Sequence, residues 1–362
     1  MLFIDNETQR QVLKIEDCIN IQDQAFRGLP TGAAIHRPRI DLYVPNERED
    51  AYWRFGTMEG ASKALGVFAI RMKSDVLTWP RDEAGNWTEE KYCVEPGTWC
   101  GLVWLFSTHN GEPLAILNDG IIQHMRVGAG AGLGAKYLAR EDAHVVGMLG
   151  SGGMAHTSLM AFCAVRDIHR CHVYSPTKAH REAYAEEMSK ELGIEVIAVD
   201  DARSAVQGAD IVCIATDAME RVLDGAWLEP GMHVTNPGTG MGEDVVQRAG
   251  VIIRQGIGTW RPETGDHPQA WRGYVGGSPE EIARLPGPKA GYLVRGEYPS
   301  FTDLVNGEAP GRTSPEQITL YLDMGNQGLQ FAAAGWLVYH KCREEGLGRE
   351  IPTEWFLQDI RD

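Results

Sequence analysis

Several things are missing from this 362-residue chain. No apolar run reaches the length a membrane-spanning helix needs, so no membrane association is expected. The opening MLFIDNETQR carries charges where a secretory signal would need an apolar core, so no such signal is expected either. Positive charge is scarce: 34 Lys and Arg against 50 Asp and Glu leave a formal net charge of −16. Nucleic acid calls for a basic face, so it is not an expected partner. The seven cysteines include no C-x-x-C pair, which predicts reduced thiols in a cytoplasmic protein. Cys93/Cys100 and Cys163/Cys171 lack zinc-ligand spacing, so no metal is expected. Internal repeats and low-complexity tracts are absent.

What remains is an ordinary globular mixture, 43% hydrophobic and 23% charged, long enough for two domains. IEDCINIQDQAFRGL predicts an amphipathic helix: Ile15, Cys18, Ile19, Ala25, Phe26 and Leu29 recur at helical spacing, and Pro30 and Gly32 stop it. Residues 39–117 read as a mostly antiparallel sheet, with LGVFAIRM, GLVWLFST and PLAIL set between turn residues. Trp79, Trp87, Trp99 and Trp104 fall there and read as sheet or subunit packing. In the middle the period changes. HVVGMLG, CHVYS, EVIAV and DIVCIAT are short β-branched runs alternating with helical stretches, which predicts right-handed βαβ units and a parallel sheet. GMHVTNPG and AGVIIRQG continue it. Residues 259–300 lose all period and suggest a functional loop or short helices. Beyond Ser314-Pro315 the helical period returns and runs through QFAAAGWLVYHKC.

The sharpest local signal is Gly150-Ser151-Gly152-Gly153-Met154-Ala155, a G-x-G-x-x-A turn between an apolar strand and a helix. Gly150 permits the turn, Gly152 lets backbone approach a pyrophosphate, and Ala155 permits close helix–strand packing. The helix N-terminus supplies amide donors to the phosphates, as in a Rossmann-type dinucleotide site. NAD sites usually end the second strand with an acid that binds the ribose hydroxyls. Here that strand ends at Ser175, followed by Thr177, Lys178 and Arg181, a cluster suited to a 2′-phosphate. NADP(H) is therefore the preferred cofactor, with NAD(H) still admitted.

QAFRGLPTG, FGTMEG, GEPLAILNDGIIQHMRVGAGAGLGAKYLAR, GADIVCIAT, LEPGMHVTNPG and DLVNGEAPGRTSPEQITLY together resemble the ornithine cyclodeaminase/mu-crystallin family. That family also holds archaeal alanine dehydrogenases and ketimine reductases. The resemblance covers almost the whole chain and implies an α/β architecture. A Rossmann-type NAD(P)-binding domain (126–319) would be inserted into an α+β substrate and dimerisation domain (1–125 plus 320–362). It also implies a homodimer and adds Thr216, Pro237 and Gly238 to the cofactor-binding set. The family's substrate-carboxylate arginine falls at Arg126, which in its apolar, Gly- and Ala-rich setting needs an anionic partner. The family lysine falls at Arg71, with Lys73 two positions on and on the same strand face. Arg71 stays protonated, so Lys73 is the proton-transfer candidate. Arg39, or Arg37, resembles a third carboxylate contact. His124 and His156 lack a triad or metal partner and read as structural.

Three functions follow from the resemblance. One is NAD(P)H-dependent reduction of an imino acid or ketimine, or the reverse oxidation of an amino acid. A second is ornithine cyclodeaminase activity, giving proline and ammonia. The third is non-catalytic NADPH binding of the mu-crystallin type. The retained Arg126 and Lys73 favour chemistry. Gly240 stands where cyclodeaminases carry an Asp, which argues against ring closure, with Glu243 and Asp244 as the nearest acids.

Overall fold

The computed structural model describes residues 1–81, 87–256, 273–286 and 297–360. The chain opens with β1 (Leu2–Ile4), α1 (Asn6–Val12) and α2 (Ile15–Phe26). Five strands and a short one follow: β2 (Ala34–Pro45), β3 (Ala51–Ser62), β4 (Val67–Thr78), β5 (Glu90–Tyr92), β6 (Cys100–Ser107) and β7 (Pro113–Asn118). Helix α3 (Gly120–Leu138) leads into β8 (Val145–Leu149), α4 (Gly153–Val165), β9 (Arg170–Tyr174), α5 (Lys178–Leu192), β10 (Glu195–Ala198) and α6 (Ala202–Val206). Then come β11 (Ile211–Ile214), β12 (His233–Thr235), α7 (Glu243–Arg248), β13 (Val251–Arg254), β14 (Tyr274–Val275) and α8 (Pro279–Ala283). The last elements are α9 (Phe301–Val305), β15 (Thr319–Leu322), α10 (Gln327–Glu345) and β16 (Arg349–Glu350).

Among the described residues these strands form two sheets. One is parallel throughout, in the order β10-β9-β8-β11-β12-β15-β13. Its strands are apolar on both faces. Val146, Met148, Ile211 and Cys213 pack on one side, Leu149, Val212, Ile214 and Val234 on the other, as expected where helices cover both. The other sheet runs β14-β2-β3-β4-β6-β7-β1-β16, with β5 beside β4, and its long pairs are antiparallel. This is the α/β architecture with a Rossmann-type sheet inserted into an α+β unit. α10 lies against the second sheet so closely that a side chain at Gly328 or Gly60 would strike the facing backbone, Glu59 O at 1.9 Å and Leu329 N at 2.3 Å.

The structure departs from the sequence reading at three places. Thr319–Leu322 is a strand between β12 and β13, not the start of a helical stretch, so the expected boundary at residue 320 falls inside the parallel sheet. Three consecutive buried residues and a half-buried fourth carry no period, which is why the strand went unread. The boundary at 125/126 falls within α3, which packs on both α2 and α4. β14 lies inside the expected 126–319 unit yet pairs with β2 of the other sheet. The rest of the aperiodic 259–300 stretch is split: α8 is a short helix, while 257–272 and 287–296 lie outside the described residues. No described helix is long and apolar enough to cross a membrane, and all seven cysteines are free thiols.

Candidate functional site

The parallel sheet supplies a ligand cradle at its carboxyl edge. Gly150 leaves β8 with φ +117°, and a side chain there would strike Ala215 O at 2.2 Å. Only glycine fits that turn. Gly152 caps α4 with no side-chain hydrogen bond, and a Cβ on it would meet nothing within 4 Å. The first amides of α4 are thus open to an anion across free space. Gly153 begins the helix, Met154 is half-buried, and Ala155 is fully buried against the sheet. Ser151 Oγ donates to Ser175 Oγ at 2.9 Å, tying the glycine loop to the end of β9.

Thr216 and the Pro237-Gly238 pair sit beside this loop at the ends of β11 and β12. Gly238 N donates to Ile214 O at 3.1 Å, and a Cβ at Gly238 would strike Thr216 O at 2.2 Å. Among the described residues Thr235 Oγ1 and Asn236 Oδ1, at the same edge, are buried without hydrogen-bond partners. Open helix amides, a cleared backbone and unsatisfied polar atoms fit a dinucleotide. At the rim, Thr177 caps α5 with no side-chain cap hydrogen bond, and Lys178 is exposed at 3.7 Å from Glu182. Arg181 is buried and turned away: its Nη1 donates to Ser175 O and its Nη2 to Asp200 Oδ1 at 2.7 Å. His156 is held by Gly152 O at 2.9 Å, and His124 lies against Gly153.

The second sheet gathers charge. Register places Arg54 opposite Asp75, Gly56 opposite Lys73 and Asp41, and Met58 opposite Arg71. All therefore share one face. Gly56 is needed there, since a side chain would fall 2.2 Å from Asp41 Oδ1 and 3.1 Å from Lys73 Cε. Lys73 Nζ lies 3.1 Å from Asp75 Oδ2, and Arg54 pairs with the same carboxylate. Arg39 Nε lies 2.8 Å from Asp41 Oδ2, whereas Arg37 turns to Glu59 and is half exposed. The structure thus brings Arg39, not Arg37, to the cluster. Burial, followed by Arg39 and Arg54, pushes the Lys73 ammonium well below its ordinary range.

Arg71 and Arg126 meet over one ring. Their guanidinium carbons lie 5.8 and 5.1 Å from the centroid of Phe331 on α10. Arg71 Nε donates to Asp119 Oδ2 at 2.7 Å, an acid that lies over Gly101 of β6. Among the described residues Arg126 donates to no carboxylate. Its Nη1 donates to Gln330 Oε1 at 2.9 Å and its Nη2 to Gln123 Oε1 at 3.0 Å, while its Nε finds no partner among them. Burial first, and then Arg71, pull the Arg126 pKa down to about 9. A guanidinium whose charge is this unwelcome wants an anion. Sequence reasoning missed Asp119, Asp41, Asp75, Gln330 and Phe331. Asp119 stood in the LNDG segment, but nothing local marked its partner 48 residues away.

Among the described residues His144, Asp167 and His169 form the one His/Cys/Asp/Glu group close enough to share an ion. They precede β8 and β9, at the opposite edge from the cradle, and His144 Nδ1 lies 2.6 Å from Asp167 O. Of the four cysteines Cys93, Cys100, Cys163 and Cys171, only Cys171 is buried; Cys93 and Cys163 are half-buried and Cys100 is exposed.

The profile of the ornithine cyclodeaminase/mu-crystallin family matches residues 95–346. A putative dehydrogenase of Rhizobium meliloti is 29% identical over 332 residues, covering 90% of this chain and 91% of its own. A Δ1-pyrroline-2-carboxylate reductase of Bacillus cereus is 25% identical, covering 97% and 99%. Among solved structures, the Thermococcus litoralis Δ1-pyrroline-2-carboxylate reductase with NADH and L-proline is 25% identical and covers 97% of this chain and 100% of its own, with a TM-score of 0.75.

Proposed function

This chain belongs to the ornithine cyclodeaminase/mu-crystallin family, and from that premise we propose that it is an NAD(P)-dependent oxidoreductase reducing the C=N bond of an imino acid, or running the reverse amino-acid oxidation. The observation that carries this reading is Arg126, buried, cationic and, among the described residues, without an acid bonded to it. A substrate carboxylate would complete it, with Arg71 and Arg39 adding positive potential from the facing sheet. Lys73 is the strand residue able to take up or release a proton; Arg71 is not. When bound at the glycine loop, the nicotinamide cofactor supplies or accepts the hydride.

Residues 150–155, with Thr216, Pro237 and Gly238, hold that cofactor's pyrophosphate and nicotinamide half. Ser175, Thr177 and Lys178 favour a 2′-phosphate and hence NADP(H), with Arg181 bracing the loop that carries them. Ring closure of ornithine is disfavoured. Gly240 stands at φ +95° with its carbonyl accepting from Val222 N, and Asp244 Oδ2 accepts from Gly225 N and Arg221 Nη2. A homodimer fits the back of the charged sheet, where Leu42 and Val44 are exposed beside the stacked pairs Trp53–Phe55 and Trp104–Phe106. The test is NADPH absorbance on adding cyclic imino acids, or 2-oxo acids with amines. Oxidation of NADPH by at least one supports the reading; proline and ammonia from L-ornithine, with none of it, overturns it.

A further inference from the structure

Among the described residues Asp323 is a buried titratable group beside the substrate face to which neither sheet gives a role. It follows β15 directly, at the carboxyl edge of the parallel sheet, where the crevice of such folds lies. Its side chain is buried, and among the described residues Oδ2 has no hydrogen-bond partner. Three elements close around it. Gly130 stands one turn along α3 from Arg126, and a Cβ on it would fall 2.6 Å from Asp323 Oδ1, 2.6 Å from Gln255 Oε1 and 3.1 Å from Gln330 Nε2. The missing side chain of Gly130 is what admits the carboxyl group. Gln255, at the end of β13, donates to Gly325 O at 2.7 Å, and Asn326 Nδ2 donates to Gln255 O at 2.8 Å, so the turn bearing Asp323 is pinned. From α10, Gln330 joins the acid's surroundings to Arg126.

The titratable groups facing Asp323 are Arg126 from α3, Cys213 from β11 and Tyr321 on its own strand. Burial holds the thiol and the phenol protonated. Burial also holds the Asp323 carboxyl well above the carboxylate range, with Arg126 alone pulling the other way. A substrate carboxylate on Arg126 would neutralise that pull. Loading the site therefore keeps the acid protonated.

Resting on the imino-acid reductase reading, we propose that Asp323 is the acid that protonates the substrate nitrogen. The Asp323 O–H bond breaks and an N–H bond forms on the C=N nitrogen, leaving a carboxylate beside Arg126. Hydride addition to the carbon moves the π electron pair onto nitrogen and gives the amine. One proton and one hydride are consumed, and water restores the proton to Asp323. In the oxidative direction the carboxylate takes the proton back. Lys73 is a poor source for this step, because burial with Arg39 and Arg54 disfavours its ammonium form.

The experiment compares wild type with Asp323→Asn, which keeps the shape, using NADPH and Δ1-pyrroline-2-carboxylate. The variant should lose about 100-fold in kcat at pH 8, within the usual range for a positioned acid. The deficit should shrink as the pH falls and solvent-protonated substrate replaces the acid, while the NADPH Kd stays unchanged. Infrared difference spectra at neutral pH should show a protonated-carboxyl C=O band that the variant lacks. Gly130→Ala, which displaces the acid without removing it, should also lower kcat at constant NADPH affinity. Unchanged kcat in either variant, a deficit constant at every pH, or no protonated-carboxyl band overturns the assignment. A wild type that oxidises NADPH with no imino acid overturns the reductase reading itself, whereas an active wild type matched by Asp323→Asn overturns Asp323 alone.

Discussion

The two sheets treat charge in opposite ways. At the parallel sheet's carboxyl edge the cradle is built of glycine, serine, threonine and backbone amides, and its charged residues stand at the rim, where Lys178 and Asp200 are exposed. On the antiparallel sheet, Arg54, Arg71, Lys73 and three aspartates are buried on a single face or against it. A helix N-terminus meets a phosphate with fixed dipoles and needs no formal charge of its own. On the antiparallel sheet a substrate carboxylate would instead meet buried cations, with neighbouring acids offsetting their desolvation. The comparison separates a site made by backbone from a site made by side chains, and each can be broken by itself.

The largest effect is expected at the side-chain site. Arg126→Ala should lower kcat/KM for imino-acid reduction by about 1000-fold, roughly 4 kcal/mol of lost charged contact. NADPH affinity should stay within twofold, because Arg126 lies outside the glycine loop. Stability should move little. Among the described residues no acid bonds this buried charge, so Arg126→Met should melt at or above the wild-type temperature. A marked drop in Tm with activity retained would make Arg126 structural.

The backbone site gives the next effect. Gly150→Ala forces a side chain into φ +117° and against Ala215 O, which should cost about 3 kcal/mol or more of stability. Gly152→Ala meets open space, so it should melt like wild type yet weaken NADPH binding. Thermal melts with and without NADPH separate the two. Equal melting temperatures for both variants would contradict the geometry.

The same division explains what the sequence made legible. Gly150, Gly152 and Ala155 sit within six positions, because a turn into a helix is a local event, and the motif announces itself. The charged face is a product of register. Asp41, Arg54, Lys73 and Asp75 come together only when β2, β3 and β4 pair, and Asp119 joins them through a glycine on β6. Arg126 and Arg71 were named through family likeness; their shared contact with Phe331, 205 positions on from Arg126, had no local signal. Residues 319–322 were misread for the converse reason: a central strand buried on both faces shows no alternation. Helix α3 was not predicted at all. Its glycines lower helix propensity, and they are tolerated because α4 presses so close that a Cβ at Gly128 would lie 2.4 Å from the Thr157 carbonyl.

Acid should separate the sheets as well. On the charged face, Lys73 and Arg54 hold Asp75 below the carboxylate range against the effect of burial, and Asp41 is held down in the same way by Arg39 and Lys73. Their stabilising contribution is complete above a pH of about 3.9 and is lost as pH falls through their lower folded values. His233 in the parallel sheet behaves differently. Burial, with Arg312 and Arg166 nearby, lowers its pKa to about 3, and its Nδ1 lies 2.9 Å from Thr319 Oγ1. The unfolded chain takes up the proton first, at a pH of about 6.5. Stability from keeping His233 neutral is therefore full above that pH and falls by about 1.4 kcal/mol per unit below it, roughly 2 kcal/mol by pH 5. Denaturant melts at pH 7 and pH 5 should show this loss in wild type and not in His233→Gln. An equal loss in both would place the acid sensitivity elsewhere.

The smallest expected effect lies at the seam between the backbone cradle and its charged rim. Ser151 Oγ donates to Ser175 Oγ, so the residue that follows β9 is held at the mouth of the glycine loop, where a cofactor's adenosine ribose would lie. An acid there would accept the ribose hydroxyls and repel a 2′-phosphate; serine, backed by Thr177 and Lys178, does the reverse. Wild type should bind NADPH about tenfold tighter than NADH, a difference of about 1.4 kcal/mol that one charge-assisted contact supplies. Ser175→Asp should reverse the order. Arg181 is already committed to the Ser175 carbonyl and to Asp200, so Arg181→Ala should loosen the loop and weaken both cofactors alike. Fluorescence titration of each variant with NADPH and NADH at fixed salt gives all six dissociation constants. Equal wild-type affinities would remove the 2′-phosphate from the argument, and a selective loss of NADPH in Arg181→Ala would show that its guanidinium leaves the loop to meet the phosphate.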